Sequence, residues 1–269
     1  MADKPARSPY PSDLTDAQWR LLESLVPPAP GGGRQPTTDL REVVNAILYV
    51  DKNGCAWRAL PHDFPPEGTV RDYFHRWCRA GVWERLLEVL RQHVRRQEGK
   101  ANQPTAAIID SQSIKATRTS GLRGYDAGKK VKGTKRHLLV DTLGLLLCVV
   151  VHVANLQDRD GAKLVFARAQ PKCPQVRLVW ADGGYAGKLI AWVQEFCGWL
   201  LAIVRRSDQA KGWQLLPRRW VVERTIAWVN GYRRLSKDFE YRPETSEAFT
   251  QIAMIHLLLH RLAPQKVAT

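Results

Sequence analysis

The hydrophobic periodicity of the chain changes at Thr105, and no single layer of structure accommodates both sides of that change. Before it, apolar residues recur at helical spacings of three and four; after it, they gather in short runs of strand length. Thr15 with Gln18 three residues on forms a capping box, opening a helix that stops at Pro27-Pro28. A second helix starts at Asp39, with Leu40, Val43, Val44, Ile47 and Leu48 on one face, and ends near Asn53-Gly54. Trp57, Leu60, Phe64 and Pro65-Pro66 suggest a compact aromatic turn. A third helix is expected after Gly68, capped by Thr69, running through Tyr73, Phe74 and Trp77 to Arg79. A fourth covers Val82 to Gln97, with Trp83, Leu86, Leu87, Leu90 and Val94 inward. Residues 1–13 and the Gly/Pro-rich run 29–36 read as flexible. Residues 14–98 form a small all-helical, helix-turn-helix-like unit, and the polar stretch 99–104 is its linker.

Beyond Thr105, Ala106–Ser111 is a short apolar strand carrying Asp110 near its end. A basic loop from Lys115 to Lys132 follows. Thr134–Asp141 and Leu145–Val153 then make a hairpin around Thr142-Leu143-Gly144. Asp160–Ala169 is a helix, and Val176–Asp182 a second apolar strand ending in an acid. Gly183-Gly184-Tyr185 turns the chain into a helix reaching Phe196, and Trp199–Val204 is the last strand. Arg218–Leu235 reads as a basic helix with Val222, Ile226 and Val229 on its apolar stripe. A polar connector, Asp238–Ser246, leads to an apolar helix, Glu247–Leu262, that should pack across the sheet. This succession is a mixed α/β arrangement, in the element order of a ribonuclease-H-like domain spanning residues 105–269.

The chain holds 41 Lys+Arg against 26 Asp+Glu, a net charge of +15, so polyanions concentrate at its surface and nucleic acid is the expected partner. An anionic membrane fits less well, because there is no apolar run of spanning length and no long basic amphipathic helix. The five cysteines form no CxxC pair, which argues for reduced structural thiols and against zinc. The first residues lack the apolar core of a secretory signal, so a cytoplasmic protein is expected.

Three acids stand out. In open α/β sheets ligands gather outside the carboxyl ends of strands, where Asp110 and Asp182 fall. Glu223 adds a third acid at the edge of the basic helix's buried face. Each alone has an ordinary reading: an aspartate capping a turn, or a glutamate paired with Arg219 or Arg224 one turn away. Together around one point they would repel unless cations were bound, and their oxygens suit Mg²⁺ or Mn²⁺. Two such ions ~3.5–4 Å apart would support in-line displacement at a phosphodiester. Asp141 at the hairpin turn reads as structural, Asp158 and Asp160 as helix-opening acids, and His137 and His152 as packed strand residues. Arg71, His75, Arg76 and Arg79 oppose the aromatic side of the third helix and suit DNA contact. Lys129, Lys130, Lys132, Lys135 and Arg136 follow the first acid and could hold phosphates or simply be solvated.

Ile108-Ile109-Asp110-Ser111-Gln112-Ser113-Ile114-Lys115, Lys132-Gly133-Thr134-Lys135-Arg136-His137, Ala181-Asp182-Gly183-Gly184-Tyr185 and Arg219-Trp220-Val221-Val222-Glu223-Arg224 together resemble the DDE transposases of bacterial insertion sequences, of the IS-five type. Tyr232-Arg233-Arg234-Leu235-Ser236-Lys237-Asp238 fits the same family, and the helical unit resembles its N-terminal DNA-binding region. The resemblance implies Asp110, Asp182 and Glu223 as a catalytic triad holding two Mg²⁺ ions, with Mn²⁺ able to substitute. It implies double-stranded DNA as partner: terminal inverted repeats of an element, cleaved and joined through their 3′-hydroxyls to target DNA. A homodimer or higher oligomer on DNA, in the bacterial cytoplasm with the nucleoid, is expected. DNA contacts are assigned to Arg71, Arg76, Arg79, Lys115, Lys132, Lys135, Arg136, Arg219, Arg224, Tyr232, Arg233 and Lys237. The broader group carries Tyr, Arg, Glu and Lys around the third acid; here Leu216 and Asn230 stand at the Tyr and Lys positions. The segment Arg205–Pro217 is too short for the β insertion that some relatives place before the glutamate helix. Two rival readings use the same residues: a ribonuclease-H-like nuclease without strand transfer, and a DNA-binding regulator that no longer cuts.

Overall fold

The structure, a computed structural model, describes residues 7–28, 38–204 and 218–264. The expected flexible run 29–36, all of Arg205–Pro217 with Leu216, and the first six residues lie outside the described residues. Residues 7–13, also expected to be flexible, are instead held in place, Arg7 pairing with Asp13 and with Glu42, each at 2.7 Å. The helical region begins as its caps dictate. Thr15 and Gln18 complete their capping box over α1 (Asp16–Arg20). Asp39 accepts the first amides of α2 (Leu40–Asn53), which ends on left-handed Gly54. Next, α3 (Glu67–Arg79) starts earlier than Thr69, directly after Pro66, so Thr69 lies inside its first turn rather than capping it. Last comes α4 (Val82–Gln97), with Trp83, Leu86, Leu87, Leu90 and Val94 buried as expected.

Among the described residues, a six-stranded sheet follows. Its central strand β1 (Ala106–Lys115) runs antiparallel to β3 (Val131–Asp141) and parallel to β5 (Leu178–Ala181). Beyond β3 lies β4 (Leu146–Val153), with the short β2 (Gly124–Asp126) extending the same edge; beyond β5 lies β6 (Leu200–Ile203), parallel to it. One antiparallel hairpin and two parallel strands flanking the first strand give the ribonuclease-H-like order expected from the succession of elements. The sequence reading ended the first strand just past Asp110. In the structure β1 continues to Lys115, because β3 pairs with it as far as Lys115 opposite Gly133. The polar Ser111, Gln112 and Ser113 disguised that half of the strand, and Asp110 is therefore a mid-strand residue.

Strand side chains alternate between two cores, which explains why the strands read as continuous apolar runs. Ile108, Leu138 and Val140 face one side, with α2, α3, α4, α7 (Trp220–Asn230) and α8 (Pro243–Leu262). Ala107, Ile109 and Leu139 face the other, with α5 (Asp158–Ala169) and α6 (Lys188–Cys197). The basic helix is shorter than its sequence suggested. It stops at Asn230, and Arg233–Leu235 forms a separate 3₁₀ turn.

The helical region keeps no core of its own. Its apolar residues from Leu14 to Val94 belong to the same buried cluster as one face of the sheet, and residues 99–104 pass from α4 to β1 without dividing it. The last helix is the common element, packing against both α4 and β4. Phe249 on α8 is wholly buried and stacks on Phe74 of α3 at 4.7 Å between ring centres. Phe249→Ala should therefore cost about 3–5 kcal/mol and leave a single cooperative transition in urea; separate unfolding of the helical region, seen as two transitions, would contradict the shared core.

Candidate active site

Strand register builds the floor of the site. On the parallel β1/β5 pair, Ile108 lies opposite Trp180, so extending the register by two places Asp182 beside Asp110. Two residues is one full strand period, so both aspartates share the face turned toward α7. Asp110 accepts the Ser111 amide at 2.7 Å and Asp182 the Gly184 amide at 2.7 Å, each fixing one carboxylate oxygen. The wall is α7, which Val222 and Val229 bury against the core. The hairpin turn docks this helix: the Thr225 hydroxyl donates to the Gly144 carbonyl at 2.8 Å and Arg224 to the Leu143 carbonyl at 3.0 Å. Gly144 has φ +80°, and a Cβ there would lie 2.8 Å from the Thr225 hydroxyl, so only glycine lets turn and helix meet so closely.

The three acids converge. One nitrogen of Arg219, Nη2, lies 3.6 Å from Asp110 Oδ2, 3.6 Å from Asp182 Oδ2 and 3.5 Å from Glu223 Oε1. Asp110 is the deepest, its side chain 16% exposed against 33% for Asp182 and 56% for Glu223. Burial pushes the Asp110 carboxyl up to about 6; the Asp182 charge adds to the rise, while the Ser111 amide, Arg219 and Lys129 oppose it. Among the described residues no three carboxylate, imidazole or thiolate groups close to coordinating distance about one point. The acids ring the guanidinium instead. A donor set of three carboxylates without thiolate or imidazole nevertheless fits a hard divalent cation.

Behind Asp110 lies a buried polar cluster. Asp158 accepts the Ser111 hydroxyl at 3.0 Å and pairs with Lys135 at 2.9 Å, so it does more than open a helix. His137 and His152 share a hydrogen bond of 2.8 Å, and burial drives His137 down to about 3, holding it neutral. Gly161 of α5 lies so close that a Cβ would come within 2.5 Å of both imidazoles. Asp160 makes no capping bond and pairs with Lys163 at the surface. Asp141 is wholly buried, accepting the Leu143 and Leu145 amides and paired with Arg95, the structural role expected of it.

Apart from Arg219, which sits among the three acids, the residues assigned to DNA separate into two groups. Arg71, Arg79, Lys115, Lys132, Arg233 and Lys237 are exposed and Arg76 half-buried, and they stay available. Four others are committed elsewhere, which corrects the sequence reading. Arg136 is wholly buried, with contacts to the Gln112 side chain and the Leu235 carbonyl. Lys135 is buried against Asp158, Asp126 and the Leu156 carbonyl. Tyr232 is buried, its hydroxyl 3.0 Å from His256 Nδ1. Arg224 lies between Trp220 and Trp228, 4.6 Å from each ring centre. In each case the charge or hydroxyl that reads as a ligand for phosphate satisfies a partner inside the protein. Among the described residues, basic side chains line two clefts. Arg76, Arg79 and His75 of α3 line one together with Arg242, which the sequence reading missed because it lies in a connector distant along the chain. Lys115, Arg118, Arg123, Lys130 and Lys132 line the other, beside exposed Tyr125. Within the intervening 238–242 segment, the Asp238 and Glu240 carbonyls accept the Thr117 and Gly121 amides at 2.9 and 3.3 Å. Asn230 bonds to Gln112 at 3.0 Å.

A ribonuclease-H-like sheet with three acids gathered beside its central strand defines a DDE-type protein. The chain belongs to the DDE transposase family: residues 101–258 match the family described as "Transposase DDE domain", and residues 14–87 match "Putative transposase of IS4/5 family". It is 35% identical over 112 residues to the "Insertion element IS402 uncharacterized 16.2 kDa protein" of Burkholderia cepacia, covering 38% of this chain and 73% of that one. It is 30% identical over 128 residues to the "Putative transposase for insertion sequence element IS402" of the same organism, covering 45% of this chain and 60% of that one. An uncharacterized protein of Sinorhizobium fredii, y4sN, is 34% identical over 77 residues, covering 29% of this chain and 62% of its own length. This chain thus spans less than two thirds of two of these relatives. Among solved structures, the Drosophila P element transposase strand transfer complex overlaps at a TM-score of 0.31 and 13% identity, over 72% of this chain and 45% of that one, a likeness too loose to define the fold. No helix among the described residues is long and apolar enough to cross a membrane.

The Tyr232–His256 contact carries a pH dependence. Burial pushes His256 from 6.5 down to about 3, helped by neighbouring His260 and Lys52, so the folded protein holds it neutral. A depressed histidine gives stability that is present above the unfolded value and lost as pH falls toward the folded one. His256→Asn should therefore reduce the loss of urea stability between pH 7 and pH 5 by about 2 kcal/mol; an unchanged slope would show that His256 already protonates in the native state.

Proposed function

We propose that this chain binds the ends of an insertion element, cuts them by metal-assisted phosphodiester hydrolysis, and joins the freed 3′-hydroxyls to target DNA. The observation that carries the proposal is the meeting of Asp110, Asp182 and Glu223, from two strands and a helix, within 3.6 Å of one nitrogen. Surface ion pairs do not require three separate elements to deliver acids to a single point. Asp110 and Asp182 act from the sheet floor, each with one oxygen fixed by a backbone amide and the other free to ligate. Glu223 acts from the wall, where the Thr225 and Arg224 contacts to the hairpin turn hold its helix in place. When bound, Mg²⁺ or Mn²⁺ supplies Lewis acidity to the attacking water or 3′-hydroxyl and to the leaving oxygen. The cluster of Ser111, Asp158, Lys135 and the two histidines keeps the strand behind Asp110 in register.

The two basic clefts hold the DNA, and Arg242 and the segment before it join them into one path across the helical region and the sheet. Phosphate contacts position a duplex without reading its sequence. Recognition of the terminal repeats falls to α3, which presents Arg71, Arg76 and Arg79. The active complex is a dimer or higher oligomer on DNA, since two element ends must be brought to one target.

Asp110→Asn, Asp182→Asn and Glu223→Gln should each lower Mg²⁺-dependent cleavage and joining of end-containing DNA about a thousandfold or more. Unimpaired cleavage in any of the three excludes that acid from the site. Cleavage by the wild-type chain with no joined product supports the nuclease alternative instead. Replacing Lys115 and Lys132 together by Glu should weaken binding to duplexes of any sequence and make log K against log salt shallower by about 2, at roughly 0.9 per phosphate contact. An unchanged salt slope would remove this cleft from the DNA path.

A further inference from the structure

We propose that Arg219 is the resident counter-cation of the acid cluster, and that metal enters only as Arg219 leaves. The inference rests on the reading of Asp110, Asp182 and Glu223 as metal ligands. Arg219 precedes α7 and reaches back over the sheet, its side chain 17% exposed. Among the described residues it is the one Lys or Arg within 4.0 Å of any of the three acids. Its distances are almost equal, 3.5 to 3.6 Å, and longer than the ~2.7–2.9 Å of a committed charge-assisted hydrogen bond. The geometry is that of one positive charge shared by three acids, a loose arrangement that another cation can replace.

Replacement is also obligatory. A divalent ion bonded to the same oxygens at ~2.0–2.1 Å needs the space where Nη2 stands. The acids must close inward while the guanidinium swings out, so the two cations define mutually exclusive states of one cluster. Neighbouring Arg218 stacks over Trp180 at 4.5 Å and anchors the chain before the helix. The exchange is therefore a rotation of the Arg219 side chain and not a movement of α7. A phosphodiester entering the site offers the departing guanidinium a planar, bidentate anion. Arg219 thereby couples metal loading to the arrival of DNA and is a positioning residue, one that acts through the acids.

The test measures Mn²⁺ affinity of the full chain without DNA, by titration calorimetry and by the electron paramagnetic resonance of free Mn²⁺. Wild type, Arg219→Gln, Arg219→Lys and Asp182→Asn are compared, with thermal melts in chelator as a check of folding. Removing the competing charge should tighten Mn²⁺ binding about tenfold in Arg219→Gln. Arg219→Lys, which keeps the charge, should stay within about threefold of wild type. In chelator Arg219→Gln should melt below wild type, and Mn²⁺ should raise its Tm by more. Equal or weaker Mn²⁺ binding in Arg219→Gln, with binding still lost in Asp182→Asn, overturns the inference and leaves the metal site standing. Tightening in Arg219→Lys equal to that in Arg219→Gln overturns it also, because bulk and not charge would then be the obstacle. If neither wild type nor Arg219→Gln binds Mn²⁺ in a manner that Asp182→Asn abolishes, the metal site itself fails and the inference with it.

Discussion

Like charges held a few ångströms apart in a partly dehydrated pocket repel, and the architecture around Asp110, Asp182 and Glu223 is organised by that repulsion. It is strongest at Asp110, the most deeply buried of the three, whose carboxyl is pushed up to about 6 by burial and then by the charge of Asp182. Only a cation at the centre relieves it, and Arg219 takes that place. The arrangement persists because each acid is fixed by structure far larger than itself. The register of a parallel strand pair aligns two of them, and a helix pinned to a hairpin turn brings the third.

The stiffness of that frame depends on sharing a core. One face of the sheet, the N-terminal helices, α7 and α8 bury their apolar residues in a single cluster. A shift of the helical region would therefore be transmitted to the wall that carries Glu223. Below Asp110 the polar residues are equally constrained. Lys135, Asp158 and Ser111 pair with one another, and His137 with His152, where an apolar core would have been simpler; His137 Nε2 alone of this cluster is buried without a hydrogen-bond partner. Unpaired, such groups would cost several kcal/mol; paired, they hold the central strand in one register.

Much of this was legible in the sequence, for identifiable reasons. Capping residues at Thr15 and Asp39, apolar stripes in α2 and α4, and the hairpin around Gly144 are local signals that tertiary packing did not override. The three acids were visible because two ended apolar runs and the third sat beside the apolar stripe of a helix. The far half of β1 was not, since a strand carried by its neighbours' hydrogen bonds needs no apolar alternation of its own. Nor could composition distinguish a lysine that meets phosphate from one that meets Asp158. Lys135 and Arg136 closely follow Lys132 in sequence, yet Lys132 is exposed and the other two are buried, because β3 is covered on both faces only from Gly133 onward. Arg242 escaped for the opposite reason: only the fold brings it beside α3.

The central claim is that one point between Asp110, Asp182 and Glu223 holds the metal when DNA is present. The direct measurement is an anomalous difference map from crystals of the chain with Mn²⁺ and end-containing DNA. The account predicts density between the three acids at about 2 Å from their oxygens, with the Arg219 guanidinium turned out toward a phosphate. Density elsewhere, or an Arg219 still seated among the acids beside bound DNA and Mn²⁺, would contradict it.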